Sequence, residues 1–325
     1  MSFKDILAQP FAVELLKKAV EGEKLSGAYL FLGPEGVGKR FVARQLAKTL
    51  NCDTRKEDSC DTCLSCRKID GDTHPDLLWI EPKKGSELSI EAIRELKKKI
   101  VLRPWEGRKR LVVIVEAERA TEEAQNAFLK ILEETPSSSL VLLTSVKSER
   151  ILPTVLSRCK VIRFGPIPTE TIQSVLKERT RMSSEVASAL AKLCHGSLGK
   201  ALSFEEGFLE QSSEVVNHFL ERALHVDEEK AYFEEKEKIL NALDLLISWY
   251  RDIWVTREGL PRKFLFHETE GEALHQESSQ WGEEAIFEAL SELLAARESL
   301  EQHVNPKLLL YLLSRKIKTL RALSA

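Results

Sequence analysis

Five short apolar runs punctuate the first half of the chain: AYLFL (28–32), DLLWI (76–80), LVVIV (111–115), LVLLTS (140–145) and KVIRF (160–164). They are apolar throughout rather than alternating, as parallel strands covered on both faces are. Amphipathic stretches lie between them. In the one from Thr121 to Glu134, Ala124, Ala127, Phe128, Ile131 and Leu132 share a face. Thr121 is a plausible N-cap, Glu122 and Glu123 suit the positive helix end, and Thr135-Pro136 ends it. This alternation predicts an α/β domain with a parallel sheet. After GPIP (165–168) the strand signal stops. Residues 169–203 read as two or three short helices, and from about 208 the pattern is helical to the end. Residues 239–255 are apolar over a broad face; Asn305 and Pro306 are an N-cap and first-turn pair that start a helix over 305–317. The polar, glycine-containing residues 256–280 read as a long loop.

Composition narrows the classes. Charged residues are 30% of the chain but balance to a net −3, so no overall field points to nucleic acid or membrane. The apolar runs are far shorter than the ~20 residues that span a bilayer. The N-terminal MSFKDILAQPF carries an acid and no continuous apolar core, which argues against a signal peptide and for a cytoplasmic location.

The stretch FLGPEGVGKR (31–40) follows a predicted strand and precedes a predicted helix. That is the context of a phosphate-binding loop, with Gly33, Gly36, Gly38 and Lys39 as its cradle. The plainer reading is a glycine-rich strand-to-helix turn. Hydrolysis in such sites needs Mg²⁺, held by a loop Ser/Thr and by an Asp at the end of a neighbouring strand. Here Arg40 and Val115 stand at those two positions. Glu116 stands where a water-orienting glutamate is expected. ATP/Mg²⁺ is therefore not expected to be hydrolysed. An Arg40–Glu116 ion pair is one expectation for the vacated metal position; an Arg40 turned to solvent is the other.

Cys52, Cys60, Cys63 and Cys66 are spaced C-x7-C-x2-C-x2-C. Four thiolates suit a closed tetrahedral, structural Zn²⁺ site. An iron–sulfur cluster or reactive thiols are the competing readings. Cys159 and Cys194 are isolated, and buried free thiols are the default for them. The basic runs at 97–99 and 108–110 are candidate DNA-phosphate contacts or simply solvated faces.

Taken in order, GAYLFLGPEGVGK, the four-cysteine module, HPDLLWIEP, RPWEGRKRLVVIVEAERATEEAQNAFLKILEETP and LPTVLSRCKVIRF resemble the delta-prime subunits of the bacterial DNA polymerase III clamp loader, which are AAA+ proteins. The resemblance runs nearly end to end. It implies a RecA-like AAA+ domain over 1–165 with a zinc module at about 50–70, a helical lid over 166–205 and a helical collar over 206–325. It implies a hetero-pentameric ring with the tau/gamma ATPase subunits and the delta subunit, acting on a sliding clamp and primed DNA. Ser157-Arg158-Cys159 looks like the family's trans-acting motif, which makes Arg158 an arginine finger for a neighbour's ATP. Otherwise Arg158 is a surface arginine after a turn. Thr144 and Lys200 stand near the family's two sensor positions. The rival readings are an active tau/gamma-like ATPase subunit and a zinc-ribbon DNA-binding protein.

Overall fold

The computed structural model describes residues 2–22, 25–54, 58–83, 86–180, 182–204, 216, 236–301 and 304–324. The helical stretch expected between about 208 and 235 lies outside these, save for residue 216. Contacts divide the chain into two compact units, Met1–Thr171 with Gly196–Gly199, and Ile172–His195 with Lys200–Ala325.

The first unit is built on strands β1 (Gly27–Leu32), β2 (Leu77–Ile80), β3 (Arg110–Ile114), β4 (Ser139–Ser145) and β5 (Cys159–Arg163). They form one sheet in the order β2-β3-β4-β1-β5, and every pairing is parallel. Helices α1 (Pro10–Glu21), α2 (Lys39–Asn51), α3 (Leu64–Asp70), α4 (Ile90–Ile100), α5 (Glu122–Glu134) and the short α6 (Pro153–Leu156) belong to the same unit. The period-2 alternation of strand side chains feeds two separate cores. Tyr29, Phe31, Val113 and Leu142 pack with Leu16, Val42 and Leu46. Leu30, Val112, Ile114 and Leu143 pack with Ile93, Leu96, Phe128 and Ile131. The central strands β1, β3 and β4 are buried almost along their whole length, which is why their runs are largely apolar without alternation, whereas edge strand β5 exposes Lys160, Val161 and Arg163 and departs from the expectation of cover on both faces. Thr121 caps α5 as expected, its Oγ1 accepting from the Ala124 N–H at 3.2 Å.

The run DLLWI contributes only four residues to β2, because Asp76 is held by a different set of bonds. Its buried carboxylate accepts from the N–H groups of Trp105 (2.8 Å), Glu106 (3.0 Å) and Gly107 (2.8 Å), and from Arg110 Nη2 (2.9 Å). Arg110 also donates to the carbonyls of Lys99, Leu102 and Arg103. The Asn51 side-chain oxygen takes the Arg108 and Lys109 N–H groups, and Lys109 Nζ donates to the Leu25 carbonyl. Within the basic run 108–110, Lys109 and Arg110 thus spend their side chains inside the fold, while Arg108 remains exposed.

Along the chain, α7 (Thr169–Arg179), α8 (Ser184–Leu193) and α9 (Leu198–Ser203) follow β5. The second unit continues with α10 (Lys236–Arg257), α11 (Gly271–Ser278), α12 (Glu283–Glu301) and α13 (Pro306–Ser324). Helix α10 packs against α11 and α12, and α12 against α13, over buried Leu243, Leu246, Trp281, Ile286, Leu293 and Leu310. Asn305 Oδ1 accepts from the Lys307 N–H at 3.0 Å, so this cap is as expected. Residues 256–280 are not one long loop: they contain two 3-10 turns and α11. Only Leu274 and Ser278 of α11 are buried, so its own pattern is too weak to announce a helix. Buried Asp252 anchors this segment by accepting from the Phe266 and His267 N–H groups at 2.8 and 2.9 Å.

Candidate functional site: a closed phosphate loop and a distant arginine

The glycine-rich loop lies between β1 and α2, at the C-terminal edge of the sheet. Gly33 has no room for a side chain, since a Cβ there would stand 2.3 Å from the Phe164 carbonyl oxygen. Gly36 has a φ of +71°, and a Cβ on it would meet Ser197 Oγ at 2.1 Å. The Gly199 N–H donates to the Gly36 carbonyl at 2.9 Å. So the segment Gly196–Gly199 lies directly on the loop. Gly38 is the N-cap of α2. Lys39 is buried, and its Nζ donates to the carbonyls of Gly33 and Pro34, both at 2.6 Å. Burial lowers the Lys39 pKa, with Glu118, Glu35 and Glu116 opposing it. The cradle residues are thus brought together as expected, with the lysine turned onto the loop's own backbone.

The two metal positions are filled differently from the expectation. Arg40 does not pair with Glu116. Its Nη2 lies 2.6 Å from Glu81 Oε1, just past β2, and its guanidinium stacks 4.7 Å from the centre of the Trp79 ring. Glu116 pairs with Arg119 at 2.7 Å, three residues on. Its backbone is left-handed at φ +50°, and its N–H donates to Thr144 Oγ1 at 3.2 Å. Val115 donates its N–H to the Ile80 carbonyl and offers no oxygen from its side chain. Arg40 is drawn toward β2, where an aromatic face and a carboxylate compete better for its guanidinium than Glu116, which already has a local partner. Lys200 is likewise committed elsewhere in the second unit, to Asp244, which also accepts from Arg297 Nε at 2.7 Å.

Cys52, Cys60, Cys63 and Cys66 converge, their sulfurs all within 4.8 Å of one another. A tetrahedron with metal–sulfur bonds of ~2.3 Å has edges of ~3.8 Å, so the four thiols fit one ion after a small contraction. Their sulfurs already accept N–H groups in sequence: Cys60 N–H to Cys52 (3.4 Å), Cys63 N–H to Cys60 (3.3 Å) and Cys66 N–H to Cys63 (3.4 Å). Bonds from the Thr62 hydroxyl and N–H, with the Cys63 N–H, bring the Cys60 thiol down to about 5. Lys48, fully buried, ties the module to α2 by pairing with Asp61 and with Asp70 (2.8 Å). Burial pushes the thiols of Cys159 and Cys194 up to about 11 and 12, and both are free.

Arg158 closes the turn before β5. Register pairs Cys159 with Ala28, at the start of β1, while the phosphate loop begins at Gly33, past its end. At ~3.3 Å per residue, Arg158 sits about 20 Å from its own loop, at the opposite edge of the sheet. It is partly exposed and held by Glu133: Arg158 Nε and Nη2 lie 2.7 and 2.6 Å from Glu133 Oε1, and Nη1 donates to the Thr154 carbonyl at 3.0 Å. The partners Glu81, Trp79 and Glu133, and the 196–199 segment, escape a linear reading. Only the fold sets them beside Arg40, Arg158 and the loop.

A five-stranded parallel sheet with a strand–glycine loop–helix unit is the architecture of RecA-like proteins of the AAA+ type. Two family models match the chain, "DNA polymerase III, delta subunit" over residues 8–168 and "DNA polymerase III, delta subunit, C terminal" over 209–315. The chain belongs to this family of DNA polymerase III clamp-loader subunits. It is 29% identical over 308 residues to DNA polymerase III subunit delta' of Bacillus subtilis, covering 91% of this chain and 92% of the relative. It is also 30% identical to the gamma/tau subunit of Mycoplasma genitalium, over 75% of this chain but 39% of that protein. The tau subunit of Escherichia coli is 31% identical over 63% of this chain and 32% of its own length. A solved gamma subunit-related protein of Thermotoga maritima superposes with a TM-score of 0.48 at 19% identity, covering 95% of this chain and 99% of its own. Among the described residues, no helix is long and apolar enough to cross a membrane.

Proposed function

We propose that this chain is a non-hydrolysing delta-prime subunit of the clamp loader, working in the cytoplasm in a hetero-pentameric ring with tau/gamma and delta subunits to load a sliding clamp on primed DNA. Its parts are the AAA+ domain (1–165), a lid (166–205) and a collar (206–325). Its chemistry is Arg158, offered in trans to a neighbouring ATPase subunit. The observation that carries this is the position of Arg158, about 20 Å from the glycine loop of its own chain and partly exposed. An arginine so placed cannot serve its own loop, but it can reach a nucleotide held by another chain. There a guanidinium offsets charge developing on the γ-phosphate, an effect worth ~10³–10⁵ in rate. Arg40 and Val115 remove the metal ligands, and Lys39 is bonded to the loop itself, which supports the absence of turnover at the chain's own loop.

The four cysteines hold a structural Zn²⁺; it fixes the Cys52–Cys66 segment and leaves no open position for chemistry. Steady-state ATP hydrolysis by the isolated chain with Mg²⁺ tests the reading. No turnover is expected; robust Mg²⁺-dependent turnover refutes it in favour of an active tau/gamma-like subunit.

A further inference from the structure

Two acids, Glu133 and Glu134, occupy the last turn of α5, and no basic residue in that turn offsets them. Carboxylates at a helix C-terminus face the negative end of the helix dipole, so their local placement is unfavourable. Both are instead engaged by cations from other elements: Glu134 by Lys97 of α4 at 3.3 Å, Glu133 by Arg158. The Glu133–Arg158 contact is two-pronged, with Nε and Nη2 converging on Oε1, while Nη1 is fixed by the Thr154 carbonyl of α6. A guanidinium has five N–H donors. Two are in hydrogen bonds here, Nε–H to Glu133 and one Nη1 N–H to Thr154, and the remaining donors are of the kind that grips phosphate oxygens. The base beneath Glu133 is rigid. Ile131 and Leu132 of the same turn are buried in the sheet's core, and the Thr135 hydroxyl donates to the Ile131 carbonyl.

We infer that Glu133 is a positioning residue for the arginine finger: it fixes the Arg158 side chain in one orientation before a neighbour's triphosphate arrives. This rests on the trans-acting reading of Arg158. A flexible arginine must lose its rotamer freedom on binding, whereas one already clamped does not.

The test uses the full chain reconstituted with its tau/gamma and delta partners, assembly being checked by native mass measurement. DNA- and clamp-stimulated ATP hydrolysis is compared for wild type, Arg158→Ala, Glu133→Ala, Glu133→Gln and the double alanine variant. Glu133→Ala is expected to lower kcat about fivefold at unchanged KM for ATP. Glu133→Gln, which keeps an acceptor oxygen, recovers most of that loss. In the Arg158→Ala background, Glu133→Ala changes kcat by less than about twofold, because the two act as one unit. If Arg158→Ala has no effect, the finger reading itself falls. If Arg158→Ala is harmful while Glu133→Ala is silent, accelerating, or fully additive with it, the finger stands and the positioning role of Glu133 is wrong.

Discussion

Replacing Asp76 by Ala leaves the Arg110 guanidinium buried without its counter-ion and three backbone N–H groups without an acceptor. Removing one partner of a buried pair costs about 3–5 kcal/mol, so Asp76→Ala should show a loss of that order in chemical denaturation. Burial alone would raise the Asp76 pKa, but the N–H groups of Gly107, Trp105 and Glu106, with Arg110, bring it below the usual carboxylate range. Arg40 behaves differently. Its pair with Glu81 is exposed, worth about 0–1 kcal/mol, so Arg40→Thr should leave stability nearly unchanged. That substitution alone should also give no ATP turnover, because position 115 still lacks a carboxylate; turnover by this single variant would contradict the paired-loss argument. The absence of Ser/Thr and Asp at positions 40 and 115 was legible in the sequence, since it concerns which residue types are present. The destination of Arg40 was not, because Glu81 and Trp79 reach it only through the placement of β2.

At the scale of elements, the central strands and α5 were legible because burial on both sheet faces and a capped amphipathic face each write a strong pattern. Helix α11 was not, being polar and held mainly by its packing on α10. Beside α11, buried His267 accepts or donates to Ser248 Oγ at 2.9 Å, and burial lowers its pKa to about 4. A histidine whose folded value lies below its unfolded one contributes stability that is full above about 6.5 and is lost as pH falls toward 4. Asp252, raised by burial to about 6, acts in the opposite direction, stabilising as pH falls below 6. Comparing wild type with His267→Gln cancels the Asp252 contribution. The stability advantage of wild type should shrink by about 3 kcal/mol between pH 7 and 4; a constant difference would show that His267 titrates normally. For the cysteine module, the spacing predicts a common site, and four sulfurs converge to where they could hold one metal ion. Chelation should release one zinc per chain and make the 52–66 segment protease-sensitive, as metal binding energy there is folding energy. Metal analysis finding no zinc would count against the assignment.

At the scale of the whole molecule, the glycine loop and Arg158 lie at opposite edges of one parallel sheet. The sequence contained both motifs, but their separation comes from the register of β5 on β1. The loop edge carries a cradle closed by Lys39 and by Gly199, and the far edge carries the partly exposed Arg158, which under the proposed function serves another chain. The most direct measurement of this division is ATP hydrolysis by the reconstituted clamp loader carrying Arg158→Ala, with ring assembly verified in the same preparation. An intact ring is expected whose clamp- and DNA-stimulated turnover is reduced tenfold or more, within the ~10³–10⁵ that such a finger supplies at one site. An intact ring with wild-type turnover would contradict this division.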